Sequence, residues 1–180
     1  MIEPLRTARL SLEPLTVEHA DALFGGLSDD RIYEFIEEKR PKDVEQLRQR
    51  YARLSLLHSP DGSQYWLNWA ILLSAGQCYV GYVQATVSMN GDASIGYVLF
   101  PSMWGRGYAT ESVQAMMEFL RVRYSTRKFS ASVDTRNTRS ARVLERLGYS
   151  LVEGSDQETL SAAQRSNDVF YVKFDETVAS

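Results

Sequence analysis

The chain has 180 residues, of which 44% are hydrophobic and 24% are charged, and this is the composition of an ordinary globular protein. A single cysteine, Cys78, excludes an internal disulfide and a cysteine-rich zinc cluster, and two histidines exclude a histidine-rich metal site. No apolar run approaches the roughly 18 residues of a membrane span and no signal peptide is recognisable, so we expect one cytoplasmic domain over residues 1–180 without a membrane partner.

The first third of the chain predicts one strand and two helices. Residues 8–14 alternate leucine with polar neighbours, which is typical of a strand. Residues 16–24 predict a short helix that Thr16 caps and Gly25-Gly26 ends. A second helix is expected from Asp43, which has capping-box spacing with Gln46. Its apolar stripe is Leu47, Tyr51, Leu54 and Leu57.

The rest of the chain changes from strands to alternating helices and strands. Three strands are predicted at 65–73, 78–87 and 93–100, with Cys78 in the core. A helix over 107–124, a strand over 128–134, a helix over 138–147 and a last strand over 168–174 follow. We expect Met116 and Met117 to fill the core. This order predicts an α+β fold, with a strand–helix–strand crossover near its end.

Charge is distributed unevenly along the chain, although the net charge is only −3. Residues 103–147 contain nine lysines and arginines and four acidic residues, so the remainder is strongly acidic. Such a basic segment is typical of a site for an anionic ligand, and solvated arginines on a helix face give the same pattern. Because the segment lacks interleaved aromatic residues, we predict no nucleic-acid partner.

The most informative stretch is a strand that runs into a Gly-x-Gly loop and then into a helix. Gly105 and Gly107 flank Arg106, and the helix opens with Tyr108, Ala109 and Thr110. Glycines allow a ligand to approach the backbone closely, and the first N–H groups of a helix bind phosphate well. A tight structural turn explains the same letters. A nucleoside-triphosphate P-loop is excluded because no Gly-Lys-Ser/Thr follows, and the dinucleotide fingerprint is incomplete because Thr110 replaces its third glycine.

A second pattern begins at Asn137, where the last predicted helix starts. Asparagine is among the preferred N-cap residues, so a purely structural role accounts for it. Three residues later, Ser140 falls in the first turn of the helix.

Together the two stretches resemble the GNAT acyltransferase superfamily, in particular the branch with RimJ- and RimL-type ribosomal-protein N-terminal acetyltransferases. The phrase Trp-Gly-Arg-Gly-Tyr-Ala-Thr-Glu at 104–111 is similar to the pyrophosphate loop of this branch. The second motif, Asn-x-x-Ser-x-x-x-Leu-x-x-x-Gly-aromatic, is matched from Asn137 to Tyr149. The resemblance extends from about residue 5 to 174 and implies a single GNAT domain with a mixed, mostly antiparallel sheet flanked by helices.

The resemblance also implies a reaction and a site. Acetyl-CoA would be the donor, a primary amine the acceptor, no metal would take part, and the amine would attack directly. Backbone groups of Val98, Leu99 and Phe100 would pair with the pantetheine arm, and the N–H of Leu99 would stabilise the oxyanion. The N–H groups of residues 105–110 and the charge of Arg106 would bind the pyrophosphate. Asn137 would bind the pantetheine arm. The nucleotide phosphates would lie near Arg139, Arg142 and Arg146.

Two departures from the family pattern bear on the chemistry. Leu144 stands where many members have a tyrosine general acid, so Ser140 would inherit protonation of the leaving CoA thiolate, as in RimL-like members. Ser94 stands where relatives often have a carboxylate suited to accept the amine proton. Asp92, Asp134, Gln84 through a water, and bulk water all stay open as the proton acceptor. An α-amine, with a pKa near 8, would need less help than a lysine.

The acceptor itself is not readable from the sequence. In this fold residues 26–40 usually shape the acceptor cleft, and here their charges nearly cancel. Trp66, Asn68 and Trp69 are candidates for its wall and equally for the core. We expect the acceptor to be a protein N-terminus or a small-molecule amine and the chain to be a monomer or a homodimer. The alternative function is a non-catalytic acyl-CoA-binding domain.

Overall fold

The computed structural model describes residues 2–76, 78–152 and 168–175, so residues 153–167 of the expected core lie outside the described part. This part contains four α-helices and eight strands, with 3-10 turns at Asp30–Glu34 and Pro101–Met103. The helices are α1 (His19–Leu27), α2 (Val44–Leu54), α3 (Tyr108–Tyr124) and α4 (Thr138–Arg146). The strands are β1 (Leu5–Arg6), β2 (Leu10–Pro14), β3 (Gln64–Leu73), β4 (Cys78–Ser88), β5 (Ala93–Leu99), β6 (Lys128–Asp134), β7 (Ser150–Leu151) and β8 (Asp168–Phe174). Among these residues no helix has the length and apolar character that crossing a bilayer requires.

All eight strands form one mixed sheet in the order β1-β2-β3-β4-β5-β6-β8-β7. Every neighbouring pair is antiparallel except β5 and β6, which are parallel because α3 crosses over between them. The predicted α+β fold with a mostly antiparallel sheet and one crossover is therefore confirmed.

The parallel pair is the weak point of the sheet. β5 and β6 are in register only at Ala93–Phe129 and Ser94–Ser130, and pairing stops after those two residues. Further along, β5 continues to pair with β4 as far as Leu99, so β5 keeps one partner and loses the other. The sheet thus opens along the second half of β5.

Two hydrophobic clusters cover the two faces of the sheet. One contains the buried face of α3, including Met116 and Met117, together with Leu144 of α4. The other contains Leu23 of α1 and Tyr51 of α2, packed on the opposite face. The alternation of side chains along a strand explains this division, because successive residues point to opposite faces. The core position predicted for both methionines is confirmed.

The bounds predicted for α1 are wrong at both ends. The helix starts at His19 rather than at Thr16. The backbone carbonyl of Thr16 accepts a hydrogen bond from His19 N, and Glu18 at the N-cap position makes no side-chain cap. It also continues through Gly25-Gly26, which the sequence suggested as its end. Packing explains why a glycine occupies position 26 of this helix, since a Cβ on Gly26 would lie 2.3 Å from the ring of Phe100. Gly26 is therefore a contact residue between α1 and the end of β5.

We expect Gly26→Ala to destabilise the protein by about 1–3 kcal/mol, the usual cost of overpacking a well-filled site. Alanine is the better helix former, so propensity alone predicts the opposite sign. Gly25→Ala is the matched control, because a Cβ there has no heavy atom within 4 Å and should stabilise the helix by about 0.5–1 kcal/mol. Urea unfolding of both variants measures the difference, and a stabilised Gly26→Ala protein would contradict this packing.

The core position predicted for Cys78 is also wrong. Cys78 is the first residue of β4 and its side chain is exposed. The run of apolar residues that follows it is buried, but the strand starts at the sheet end, where one residue still projects into solvent.

The capping box expected at α2 is only half formed. Asp43 caps the helix by accepting from Gln46 N at 2.8 Å. The Gln46 side chain accepts from Lys42 N rather than from Asp43 N.

Candidate functional site

A cleft of about 370 Å³ opens where β5 leaves β6, between the start of α3 and α4. Both sequence motifs contribute to it, although they lie about 30 residues apart along the chain. The cleft is lined by twelve of the residues expected at the site: Val98, Leu99, Gly105, Gly107, Tyr108, Ala109, Thr110, Asn137, Arg139, Ser140, Arg142 and Arg146.

The Gly-x-Gly loop presents backbone N–H groups at one end of the cleft. Gly105 and Gly107 have φ of 76° and 81°, a region that glycine occupies without strain. Gly107 is the N-cap of α3 and provides no side-chain cap, and the first helical bond runs from Glu111 N to the Gly107 carbonyl at 3.1 Å. The N–H groups of Tyr108, Ala109 and Thr110 precede that bond, so they have no helical partner. This end of the cleft can bind an anion.

Cationic side chains surround this end of the cleft unevenly. Arg139, Arg142 and Arg146 all line the cleft, and the Arg139 guanidinium lies 4.5 Å from the centre of the Trp104 ring. Arg106 differs from them, since it is exposed and does not line the cleft. Of the arginines expected at the phosphates, those that line the cleft all lie on α4.

The backbone of β5 offers one side of the cleft an unpaired edge. Phe100 N donates to the Val80 carbonyl at 2.8 Å, and Ser88 N donates to the Asp92 carbonyl at 2.9 Å. In an antiparallel pair, every second residue bonds to the partner strand. The N–H groups of Val98 and Phe100 therefore point to β4, and those of Tyr97 and Leu99 point to the open side.

Leu99 and Phe100 thus differ in what they can contribute. Leu99 lines the cleft, its N–H faces the open side, and its carbonyl accepts from the Trp104 indole at 2.8 Å. Phe100 does not line the cleft and packs its ring against α1. A ligand along this edge would meet the amide of Leu99 and not that of Phe100.

Asn137 has the cap role that its sequence position suggested. Its side-chain oxygen accepts from Ser140 N at 3.1 Å and caps α4. Among the residues that the structure describes, its side-chain nitrogen has no hydrogen-bond partner, and Asn137 lines the cleft. The cap uses only the acceptor half of the amide, so the donor half is available to a ligand.

Sequence reasoning missed Tyr97, which contacts Ser140 directly. The Ser140 hydroxyl donates to the Tyr97 phenol oxygen at 3.1 Å, and the phenol donates to the Ser140 carbonyl at 3.2 Å. Burial raises the pKa of Tyr97 to about 12, with a smaller opposing contribution from the Ser140 bond, so the phenol keeps its proton at neutral pH. The signal was present as the tyrosine of Ile-Gly-Tyr at 95–97, but nothing local links it to a serine 43 positions later.

A second cleft of about 310 Å³ continues from the first on the other side of the β5 edge. Residues that line both clefts include Tyr97, Val98, Asn137 and Ser140. Four acidic residues line the second cleft: Glu37, Glu38, Asp134 and Asp168. They come from three separate stretches of chain, of which only Glu37-Glu38 has two acidic residues together, so no single charge run predicts the whole set.

The proton acceptors that the sequence left open lie in different surroundings. Asp92 does not line either cleft and forms an ion pair with Lys128 at 3.7 Å. Asp134 and Gln84 both line the second cleft, and Asp134 accepts from Arg136 Nη2 at 2.7 Å. Leu144 also lines the second cleft, with its side chain fully buried.

The acceptor-wall candidates separate in the same way. Trp69 and Asn68 are buried in the sheet, Trp66 is only partly buried, and none of the three lines either cleft. Residues 31–38 contribute to both clefts, which matches the part of the chain expected to shape an acceptor site. Within the described residues, no group of three or more histidine, cysteine or acidic side chains is arranged to hold a metal ion.

Comparisons with known proteins point in one direction. A family model described as "Acetyltransferase (GNAT) domain" matches residues 9–150. An uncharacterized N-acetyltransferase p20 from Bacillus licheniformis is 28% identical over 171 residues, which cover 94% of each chain.

Two solved structures have the same fold. An acetyl transferase from Salmonella typhimurium, described as modifying the N-terminal serine of the 50S ribosomal protein L7/L12, has a TM-score of 0.79 at 22% identity and covers 97% of this chain and 100% of its own. A RimL ribosomal L7/L12 α-N-protein acetyltransferase in complex with coenzyme A has a TM-score of 0.79 at 21% identity, with 96% and 98% covered. At these identities the likeness is one of fold.

Proposed function

Because the chain belongs to the GNAT family of acetyltransferase domains, we propose that it transfers an acetyl group from acetyl-CoA to a primary amine within a ternary complex. One observation carries the proposal. The cleft with the phosphate-binding geometry and the acidic cleft meet at Tyr97, Val98, Asn137 and Ser140, beside the unpaired amide of Leu99. A donor in one cleft and an amine in the other would therefore react at that junction.

The first cleft suits a long, anionic donor. The N–H groups that open α3 would hold the pyrophosphate, and Arg142 with its neighbours on α4 would face the other phosphates. The edge of β5 would pair with the amide groups of the pantetheine arm in the manner of an added strand. Asn137 would donate its side-chain N–H to the same arm.

The chemistry requires two groups at the junction. The Leu99 N–H would donate to the thioester carbonyl oxygen as negative charge develops there. The amine nitrogen forms the new C–N bond, the C–S bond breaks, and Ser140 gives its proton to the departing sulfur. Ser140 would regain a proton from solvent, and the proton lost by the amine would pass to water or to a carboxylate of the second cleft.

The acidic second cleft favours a cationic acceptor. A carboxylate-lined site attracts an ammonium group and raises its local concentration. Arg50 pairs with Glu38, and Arg136 pairs with Asp134, so part of this charge is already balanced. The Salmonella typhimurium structure is described as acting on a protein N-terminus, which supports the α-amine of a RimJ/RimL-like substrate over a lysine side chain. A cytoplasmic location and a monomer or homodimer stay predictions.

Turnover tests the proposal. The protein would be incubated with acetyl-CoA and a panel of N-terminal peptides, polyamines and amino acids, with detection of the released thiol. We expect thiol release with at least one α-amine peptide, well above the rate of acetyl-CoA hydrolysis without acceptor.

Leu144 favours a second candidate, a non-catalytic acyl-CoA-binding domain, because a buried leucine cannot act as the acid that many relatives have there. CoA binding without any acceptor-dependent release would support that candidate.

Asn137→Asp separates the cap from the ligand contact. Aspartate keeps the oxygen that caps α4, so the melting temperature should hold. It removes the donor, so the KM for acetyl-CoA should rise by about tenfold, the value of one hydrogen bond to a buried acceptor. Asn137→Ser is the uncharged control, since it caps equally well, and its KM should rise too. An unchanged KM in both variants would leave Asn137 with the cap alone.

A further inference from the structure

The carboxylate of Glu111, in the first turn of α3, connects the Gly-x-Gly loop to the N-terminal strands. One of its oxygens accepts from the Thr7 hydroxyl at 2.6 Å and from Arg9 N at 3.0 Å. The other accepts from Arg9 Nε at 2.7 Å and pairs with Arg9 Nη2 at 2.6 Å. Partial burial raises the pKa of Glu111, but the bonds from Thr7 and Arg9 outweigh burial and leave the pKa below its usual range.

The same guanidinium also holds the backbone of the loop. Arg9 Nη1 donates to the Arg106 carbonyl at 3.0 Å, and its carbon lies 4.7 Å from the centre of the Tyr108 ring. A trans peptide points its C=O and the next N–H in opposite directions. With the Arg106 carbonyl held by Arg9, the Gly107 N–H is turned the other way, on a residue that lines the cleft.

We propose that Arg9 and Glu111 are positioning residues that fix the loop in its phosphate-binding conformation before the donor arrives. This inference rests on the proposed function, because it assigns a task within the same cleft. Neither residue lines the cleft. Two glycines at positive φ make the free loop adaptable, and a loop that is ordered in advance loses less entropy on binding.

A simpler electrostatic role for Arg9 makes the opposite prediction. If the Arg9 charge acted directly on the phosphates, removal of the neighbouring Glu111 carboxylate would free that charge. The affinity for a polyanion would then rise or stay unchanged. If the pair positions the loop, loss of Glu111 lowers the affinity although a negative charge has been removed.

The test is the dissociation constant of CoA, measured by calorimetry on the full chain at one salt concentration. We expect Glu111→Gln and Arg9→Gln each to weaken CoA binding by about tenfold. The double variant should be no weaker than the worse single variant, because the two residues act as a unit. Glu118→Gln is the matched control, since it removes the same charge from the same helix at an exposed ion pair with Arg121 and should leave the affinity unchanged.

Folding is monitored separately from binding. Thr7→Val removes one bond to Glu111 and keeps the ion pair, so it provides a milder variant with an expected two- to threefold loss of affinity if Glu111→Gln does not fold. A wild-type chain that binds no CoA would defeat the proposed function itself. If the wild-type chain binds CoA, the positioning role would be overturned by a Glu111→Gln variant that binds CoA as tightly as the wild type or more tightly. This includes the case in which the substitution lowers only the melting temperature.

Discussion

Gly107→Val is expected to abolish measurable CoA binding. Gly107 has φ of 81°, where a β-branched residue is strongly disfavoured, so valine would force the loop into another conformation. A Cβ at this position would also lie 3.4 Å from Nη2 of Arg9, whose Nη1 donates to the Arg106 carbonyl of the loop. The N–H groups at the start of α3 would then no longer converge on one point, and phosphate would lose several bonds together.

Gly62→Val is the control for backbone strain. Gly62 has φ of 71°, has no heavy atom within 4 Å of a Cβ, and does not line either cleft. Both variants should lose stability to a similar extent, and only Gly107→Val should lose CoA binding in calorimetry. Full affinity in Gly107→Val, with its circular dichroism unchanged, would refute the phosphate-loop assignment.

Ser140→Ala is expected to lower kcat by about tenfold to a hundredfold without raising the KM for acetyl-CoA, because the hydroxyl acts only as the thiolate forms. The loss should shrink above about pH 8.5, where a thiolate leaves without a proton. Tyr97 does not disturb this profile, since burial raises the pKa of its phenol to about 12. Steady-state kinetics from pH 6.5 to about 9.5 provide the measurement.

Tyr97→Phe tests whether the phenol orients Ser140. It removes the acceptor that lies 3.1 Å from the serine hydroxyl, so kcat should fall by less than in Ser140→Ala. In the double variant the two losses should not add, because both act through one hydroxyl. A pH-independent loss in Ser140→Ala, or a change confined to KM, would mean that Ser140 positions the donor and that the reaction needs no protein acid.

Local patterns in the sequence predicted most of the fold. The caps at Asp43 and Asn137 satisfy the first turns of α2 and α4, and both were readable because a cap acts within three residues. The start of α3 after a positive-φ glycine was readable for the same reason. The bounds of α1 were not, because the contact that admits Gly26 into the helix comes from Phe100, 74 positions away.

The candidate site divides in the same way. The residues of the two motifs were named from the sequence because each motif is continuous in the chain. The Tyr97–Ser140 contact, the Arg9–Glu111 pair and the acidic cleft were not, because each depends on how the topology brings distant segments together. Strand register decides that the Phe100 N–H bonds to β4 rather than facing the cleft, and a run of apolar residues in the sequence does not specify register.

The opening between β5 and β6 also affects what can associate with the sheet. Unpaired strand edges usually lie at the outside of a sheet, where a second polypeptide can add to them and start aggregation. Here the unpaired amides of Tyr97 and Leu99 lie at an inner edge, with further strands on both sides. A strand of a neighbouring protein would have to enter between β5 and β6 to reach these N–H groups, whereas a narrow extended molecule needs less space. The fold thus keeps unpaired backbone N–H groups available to a small ligand while shielding them from other chains.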